Sequence, residues 1–191
     1  MQESSSALLV YYYFDFRDRT KRDVKGLLTS VLTQLANVSE KCWTILSQFH
    51  TTCKYGSEQP SEAALGQCLD RMLDLPEQVY IIVDALDECP NHICTPSARE
   101  IVLGFVENLV QANHSNVSVC VTSRPEPDIT SILDPLTTQE RRVSLHEENG
   151  QKEDINRYIR SFVQTDRKMQ RWREEEKKRV IETLSERAGG M

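Results

Sequence analysis

The sequence predicts an α/β fold in which a mostly parallel sheet is flanked by helices. Short runs of β-branched, aromatic and aliphatic residues occur at 8–16, 79–83 and 117–121. Such runs, without polar alternation, are typical of strands that are buried on both faces of a sheet. Segments with apolar residues at helical spacing lie between these strands, and this alternation is the order expected of parallel strands joined by helices.

The clearest helix follows the first strand and the polar turn 17–23. Its apolar residues recur at the spacing of one helix face: Val24, Leu27, Leu28, Val31, Leu32 and Leu35. This pattern predicts an amphipathic helix that packs on the sheet. Weaker apolar spacing predicts one helix around 43–49 and another over 65–73, which Pro76 closes.

The second half of the chain continues the same alternation. Thr95 followed by Pro96 predicts a helix start, because proline is tolerated at the first helical position and threonine can cap free N–H groups. A fourth, short strand is predicted at 142–145. From Asp154 the pattern becomes helical, so we expect a core domain over 1–150 and the start of a helical subdomain over 151–191.

Composition narrows the function classes. The chain has 191 residues, 39% of them hydrophobic and 27% charged, which is typical of a globular protein. Its net charge is 23 − 29 = −6, so no global basic field attracts nucleic acid or anionic lipid. The longest apolar run, 7–14, is far shorter than the roughly 20 residues that span a bilayer. Because the start also lacks the basic region of a signal peptide, we expect a cytoplasmic location.

Acidic residues follow the second strand, with Asp84 at its end and Asp87 and Glu88 in the turn beyond. Ligands of α/β sheets bind at the carboxyl ends of the strands, and Mg²⁺ prefers carboxylate oxygens shared with water and phosphate. Asp84 is therefore a candidate magnesium ligand. Asp87 and Glu88 are candidate catalytic residues that hold a water for attack on a phosphate. The alternative is an acidic turn that only caps the next helix.

The third strand runs into Thr122-Ser-Arg124-Pro125. In a parallel sheet this places Arg124 at the same crevice as the acids, where a guanidinium can bind phosphate oxygens. Arg124 is therefore a candidate nucleotide-binding residue. The alternative is a structural ion pair with Asp84 or Glu88.

These segments together resemble the NACHT family of signal-transduction NTPases, in particular fungal members related to the nephrocystin-type N-terminal P-loop domain. The segment 13–16 resembles the end of the second strand of that family, and 82–88 resembles its Walker B motif. The segment 121–125 resembles sensor 1, and 154–159 resembles the start of the helical domain behind the NTPase core. The resemblance implies a P-loop-NTPase-like sheet and covers nearly the whole chain.

The resemblance also implies ATP and Mg²⁺ as cofactors, with Asp84 on the metal, Asp87 and Glu88 on the water and Arg124 on the γ-phosphate. Such a module switches between ADP and ATP forms and assembles into homo-oligomers in its full-length context. However, none of the seven glycines lies in a G-x-x-x-x-G-K-[ST] pattern, so the P-loop is absent. We therefore expect a fragment of a NACHT protein that lacks its first strand and is inactive as an isolated chain.

Two other functions stay open. One is a non-catalytic interaction or scaffold module that cannot bind nucleotide alone. The other is an unrelated Mg²⁺ enzyme, such as a nuclease, that uses Asp84, Asp87 and Glu88. Nucleotide binding by the isolated chain discriminates the switch from the interaction module.

Overall fold

A computed structural model describes residues 7–53, 56, 58–91, 96–144 and 149–188. The chain divides into two compact units, the first ending at Thr137 and the second beginning at Thr138. The first unit holds a sheet of three strands, β1 Leu8–Tyr13, β2 Val79–Asp84 and β3 Val117–Val121. The strands lie in the order β1-β2-β3, and both neighbouring pairs are parallel. The α/β fold predicted from the sequence is therefore confirmed.

The first four helices of the first unit follow the predicted order, and the fifth was not predicted. They are α1 Val24–Val38, α2 Glu40–Thr52, α3 Glu62–Leu73, α4 Ala98–Gln111 and α5 Pro127–Leu133. Side chains of Asp23, Ser39 and Ser61 cap the first three by accepting backbone N–H groups of the first turn. These caps explain where the amphipathic patterns begin.

Helix α4 begins later than the sequence suggested. Ser97, and not Thr95, is its N-cap, and the prediction of a start at Pro96 is wrong. Ser97 and Glu100 form a reciprocal capping box, in which each side chain bonds the other residue's backbone N–H. Two satisfied N–H groups outweigh the weaker start signal of a proline, and Thr95 itself lies outside the described residues.

The core lies on one face of the sheet. Val10, Ile81 and Val83 on the strands are at most 2% exposed, and they pack in one cluster with buried leucines of α1, α3 and α4. Apolar burial of this kind is the main favourable contribution to folding. The helical spacing in the sequence therefore identified the residues that cover this face.

The opposite face of the sheet is exposed. Along β1 and β2 buried and less buried residues alternate, and Leu9, Tyr11, Tyr13 and Tyr80 are 45–59% exposed. The expectation that the strands are buried on both faces is wrong for the described residues. Aromatic and aliphatic residues fill both faces of β1, but helices cover only one of them.

The fourth predicted strand is not present among the described residues. Residues 142–144 have no regular structure, Val143 is 75% exposed, and Leu145 lies outside the described residues. A strand exists only through hydrogen bonds to a neighbour. Among the described residues β3 pairs with β2 alone, so no further strand extends the sheet.

The second unit is helical, as the change of pattern at Asp154 indicated. It contains α6 Asn149–Thr165 and α7 Glu174–Ala188, which pack against each other. A single turn of 3-10 helix at Met169–Arg171 lies between α6 and α7. No helix among the described residues of either unit is long and apolar enough to cross a membrane.

Candidate functional site

The carboxyl ends of β2 and β3 bring the candidate site residues together. Tyr13 lies level with Asp84 and Val83 lies level with Val121, so all three strands end at the same edge of the sheet. Asp84 closes β2, and a 3-10 turn, Leu86–Glu88, follows it. Arg124 lies in the loop after β3, as predicted.

Thr122 joins the two strand ends. Its backbone N–H donates to the Val83 carbonyl at 2.9 Å, and its own carbonyl accepts the Leu86 N–H at 3.0 Å. Its hydroxyl accepts the Ala85 N–H at 3.1 Å and donates to the carboxylate of Asp84. The sequence placed Thr122 in the predicted strand-end segment but gave it no role, and the structure shows that it orients Asp84.

Ala85 has an uncommon backbone conformation. Its φ of 54° and ψ of 46° lie in the left-handed region, which costs a residue with a Cβ about 1 kcal/mol. The bonds from Thr122 hold this conformation, and Leu86, which is fully buried, anchors the turn beneath it. Strain of this kind concentrates at functional sites, because it persists only where the surroundings enforce it.

Arg124 pairs with Asp87, whereas the sequence alternative named Asp84 or Glu88. One carboxylate oxygen of Asp87 accepts the Arg124 backbone N–H at 3.1 Å, and the other lies 3.3 Å from Arg124 Nε. The Asp87 side chain is 10% exposed and that of Arg124 is 82% exposed. Within the part of the chain that the structure describes, the two terminal guanidinium nitrogens of Arg124 make no bond.

The other two acids are less engaged. Asp84 bonds Thr122 through one carboxylate oxygen, and Glu88 accepts the Phe16 N–H at a long 3.4 Å. No group of three or more metal-ligating side chains occurs among the described residues. A magnesium ion at Asp84 would therefore take one protein carboxylate, and the rest of its shell would be water and phosphate, which is a common arrangement for Mg²⁺.

Arg99 in the first turn of α4 is a residue of this site that sequence reasoning missed. It is 5% exposed, and its guanidinium bonds the backbone carbonyls of Cys89 at 2.9 Å and Asp87 at 2.5 Å. It also bonds the carboxylates of Glu126 and Asp128 in the segment after β3. Burial acts to lower the pKa of Arg99, but the bonds to these carboxylates outweigh it and raise the pKa. No sequence pattern marks Arg99, because polar residues are ordinary in a first helical turn.

Cys89 follows the acidic turn but is not a nucleophile. Its side chain is fully buried, and its thiol donates to the Arg22 carbonyl at 3.2 Å. Burial raises the pKa of the Cys89 thiol to about 12, so the reactive thiolate is disfavoured.

Comparison with known families identifies the part of the chain that carries this site. The family model described as "Nephrocystin 3, N-terminal" matches residues 1–124. The chain belongs to this family. The match includes β1, β2 and β3 and ends at Arg124, so every candidate site residue lies within the nephrocystin 3 N-terminal region. No curated protein and no solved structure matches the chain.

Proposed function

We propose that this chain is part of a NACHT-type NTPase of the nephrocystin class, an ATP- and Mg²⁺-dependent switch that works within a longer protein. One observation carries the proposal. Asp84 at the end of β2 bonds Thr122 after β3, and Arg124 in the loop after β3 bonds Asp87 in the turn after β2, so two contacts join the ends of adjacent parallel strands. A carboxylate and a guanidinium at the carboxyl edge of a parallel sheet are suited to hold a metal-bound triphosphate.

The proposed roles follow from position. Asp84 would hold Mg²⁺, Arg124 would bind the γ-phosphate through its terminal nitrogens, and the acidic turn of Asp87 and Glu88 would hold the attacking water. Bound Mg²⁺ would supply charge neutralisation for phosphoryl transfer. The resemblance of the segments 13–16 and 82–88 favours a fungal type and homo-oligomers in the complete protein.

The test uses a longer protein that contains these residues together with a P-loop segment. We expect Asp84→Asn to weaken Mg²⁺-dependent ATP binding about tenfold or more, which is about 1.4 kcal/mol. Glu88→Gln should chiefly lower turnover, and Arg124→Ala should reduce the preference for ATP over ADP. Glu107→Gln, at a partly exposed position of α4, is the control. Unchanged Mg²⁺-dependent binding in Asp84→Asn would overturn the proposal.

An interaction module that does not bind nucleotide is the second candidate. It is favoured by the exposed sheet face and by the absence of a G-x-x-x-x-G-K-[ST] pattern from the sequence. Titration of the 191-residue chain with a fluorescent ATP analogue in Mg²⁺ separates the two. A dissociation constant at or below about 1 μM would show that the chain binds nucleotide without that loop and would exclude the second candidate.

A further inference from the structure

The two acids of the turn after β2 differ in what already binds them. Both carboxylate oxygens of Asp87 are used by Arg124, one by its backbone N–H and the other by its Nε. Among the described residues, the one hydrogen bond to the Glu88 side chain is the long bond from Phe16. Asp87 is therefore committed to a residue of the neighbouring loop, while Glu88 is nearly free of protein partners.

Arg99 bonds both the turn that contains Asp87 and the segment that follows Arg124. It bonds the backbone carbonyls of Asp87 and Cys89 on one side, and the carboxylates of Glu126 and Asp128 on the other. A buried guanidinium with four such partners has little freedom, because each lost bond leaves a charged or polar group unsatisfied. The bonds from Arg99 therefore set the distance between the Asp87 turn and the loop of Arg124.

The way in which Asp87 holds Arg124 leaves the arginine usable. A guanidinium has five N–H donors, and Asp87 occupies only the Nε side. Among the described residues the terminal nitrogens of Arg124 make no bond, and the side chain that carries them is 82% exposed. An anion can bind there without breaking the pair, so Arg124 is oriented before any ligand arrives.

We propose that Asp87 is a positioning residue: its carboxylate holds Arg124, Arg99 holds Asp87, and Glu88 is the acid of this turn that polarises the water. This replaces the role given to Asp87 in the proposed function, because both oxygens of its carboxylate already bond Arg124. The assignment of Glu88 rests on the proposed function. The positioning of Arg124 by Asp87 and Arg99 does not depend on the proposed function, because these contacts exist in the chain without nucleotide.

The structure contains a matched pair for comparison. Asp15 also accepts a backbone N–H and the Nε of one arginine, Arg17, at 2.9 and 3.1 Å. That pair spans two residues within one exposed loop, and no buried arginine supports it. Arg17 also donates one terminal nitrogen to Asp15, at 3.4 Å. Both aspartates thus bond the backbone N–H and the Nε of one arginine, and of these two pairs it is the one at Asp87 that joins two loops.

The test measures hydrogen exchange of arginine Nε–H groups by NMR in the folded, isotope-labelled chain. In the unaltered chain we expect Arg124 to exchange several-fold more slowly than Arg157, whose ion pair uses a terminal nitrogen. Asp87→Asn should speed exchange at Arg124 and leave Arg17 unchanged, and Asp15→Asn should do the reverse. Arg99→Lys should also speed exchange at Arg124, although it keeps the charge.

A purely structural role would lower the melting temperature of Asp87→Asn and Arg99→Lys without changing Arg124 exchange in the folded molecules. That result would overturn the proposal. If a variant does not fold, the unaltered chain still tests the proposal. Exchange at Arg124 Nε–H as fast as at Arg157 would show that Asp87 does not hold the Arg124 guanidinium. Failure of nucleotide binding in the longer protein would remove the proposed function and the role of Glu88, but would leave the exchange pattern in place.

Discussion

The two outer edges of the sheet are built differently. On the β1 edge, the side-chain amide of Gln34 from α1 accepts the Tyr11 N–H at 3.1 Å and donates to the Tyr11 carbonyl at 2.7 Å. It thereby bonds this residue as a neighbouring strand would. On the β3 edge, the described residues provide neither a strand nor a side chain that bonds the backbone. Within the described residues, the chain therefore covers one edge with its own side chains and leaves the other open.

The side chains near each edge strengthen this contrast. The ammonium of Lys21 lies 3.5 Å from the ring centroid of Tyr13, so a charge stands beside the end of β1. The sequence of β3 is Val-Ser-Val-Cys-Val, with no charge and no proline. Natural edge strands are usually protected by charges, prolines or bulges, and an unprotected apolar edge is a template for pairing with another strand. The β3 edge is thus the side on which this sheet can be extended.

The largest expected effect comes from the position where α1 approaches β1. At Gly26 an added Cβ would overlap the Thr20 carbonyl oxygen and lie 2.7 Å from the Tyr12 hydroxyl. We expect Gly26→Ala to lower the free energy of unfolding by about 3 kcal/mol, because backbone on one side cannot move away. Urea unfolding followed by circular dichroism measures this change.

Gly66→Ala is the matched control, since Gly66 also lies within a helix but an added Cβ meets nothing within 4 Å. Alanine there should stabilise the protein by about 0.5–1 kcal/mol, the usual helix preference over glycine. Equal effects at the two glycines would mean that α1 does not lie this close to the Thr20 carbonyl and the Tyr12 hydroxyl.

The sequence predicts the elements better than the contacts that fix their ends. Apolar spacing identified α1 and the three strands, because burial of apolar residues determines both the pattern and the packing. It could not identify Gln34, Arg99 or Asn116, since their partners are backbone groups far away in sequence. The Asn116 amide donates to the carbonyls of Leu73, Leu75 and Glu77, 39–43 residues earlier.

The candidate site shows the same division. Acid and arginine at strand ends were found from the sequence, because parallel strands place their carboxyl ends at one edge. The pairing of Arg124 with Asp87 was not, since three acids were within reach and only the left-handed turn at Ala85 decides among them. The exposed sheet face was also missed. A run that is apolar on both faces predicts that both faces are buried, but it does not say which element covers each face.

The second prediction concerns the Gln34 side chain, which covers the β1 edge. Gln34→Ala deletes both bonds to Tyr11, and we expect a loss of about 1 kcal/mol, because water can replace the amide at this exposed position. It should also allow association through β1, seen as faster sedimentation at equal concentration. Thr33→Ala is the control, since that hydroxyl bonds only its own helix. Equal sedimentation of both variants would show that Gln34 does not protect the edge.

A third prediction adds a charge to the open edge. Cys120 is an exposed residue of β3, and Cys120→Lys should reduce association while changing the free energy of unfolding by less than about 0.5 kcal/mol. Sedimentation velocity in the presence of a reductant measures the effect. Leu9→Lys places the same charge on the exposed face of β1. If it reduces association equally, the apolar face and not the β3 edge is responsible.

The smallest effect on stability is expected just before the amino end of β2, which is the central strand and forms neither edge of the sheet. Glu77 accepts a hydrogen bond from Lys41 at 2.8 Å, and this bond holds the pKa of the Glu77 carboxyl below its usual range. The folded pKa is then below the unfolded one, so the pair stabilises the protein above the unfolded pKa and loses its effect as pH falls through the folded pKa. Lys41→Met should lower the free energy of unfolding by no more than about 0.2–1 kcal/mol at pH 7, because Lys41 is well exposed.

The difference in this free energy between Lys41→Met and the unaltered chain, measured by urea unfolding across pH, should vanish in acid. Sedimentation should not change. A difference that persists at low pH would show that Lys41 acts through packing and not through its charge.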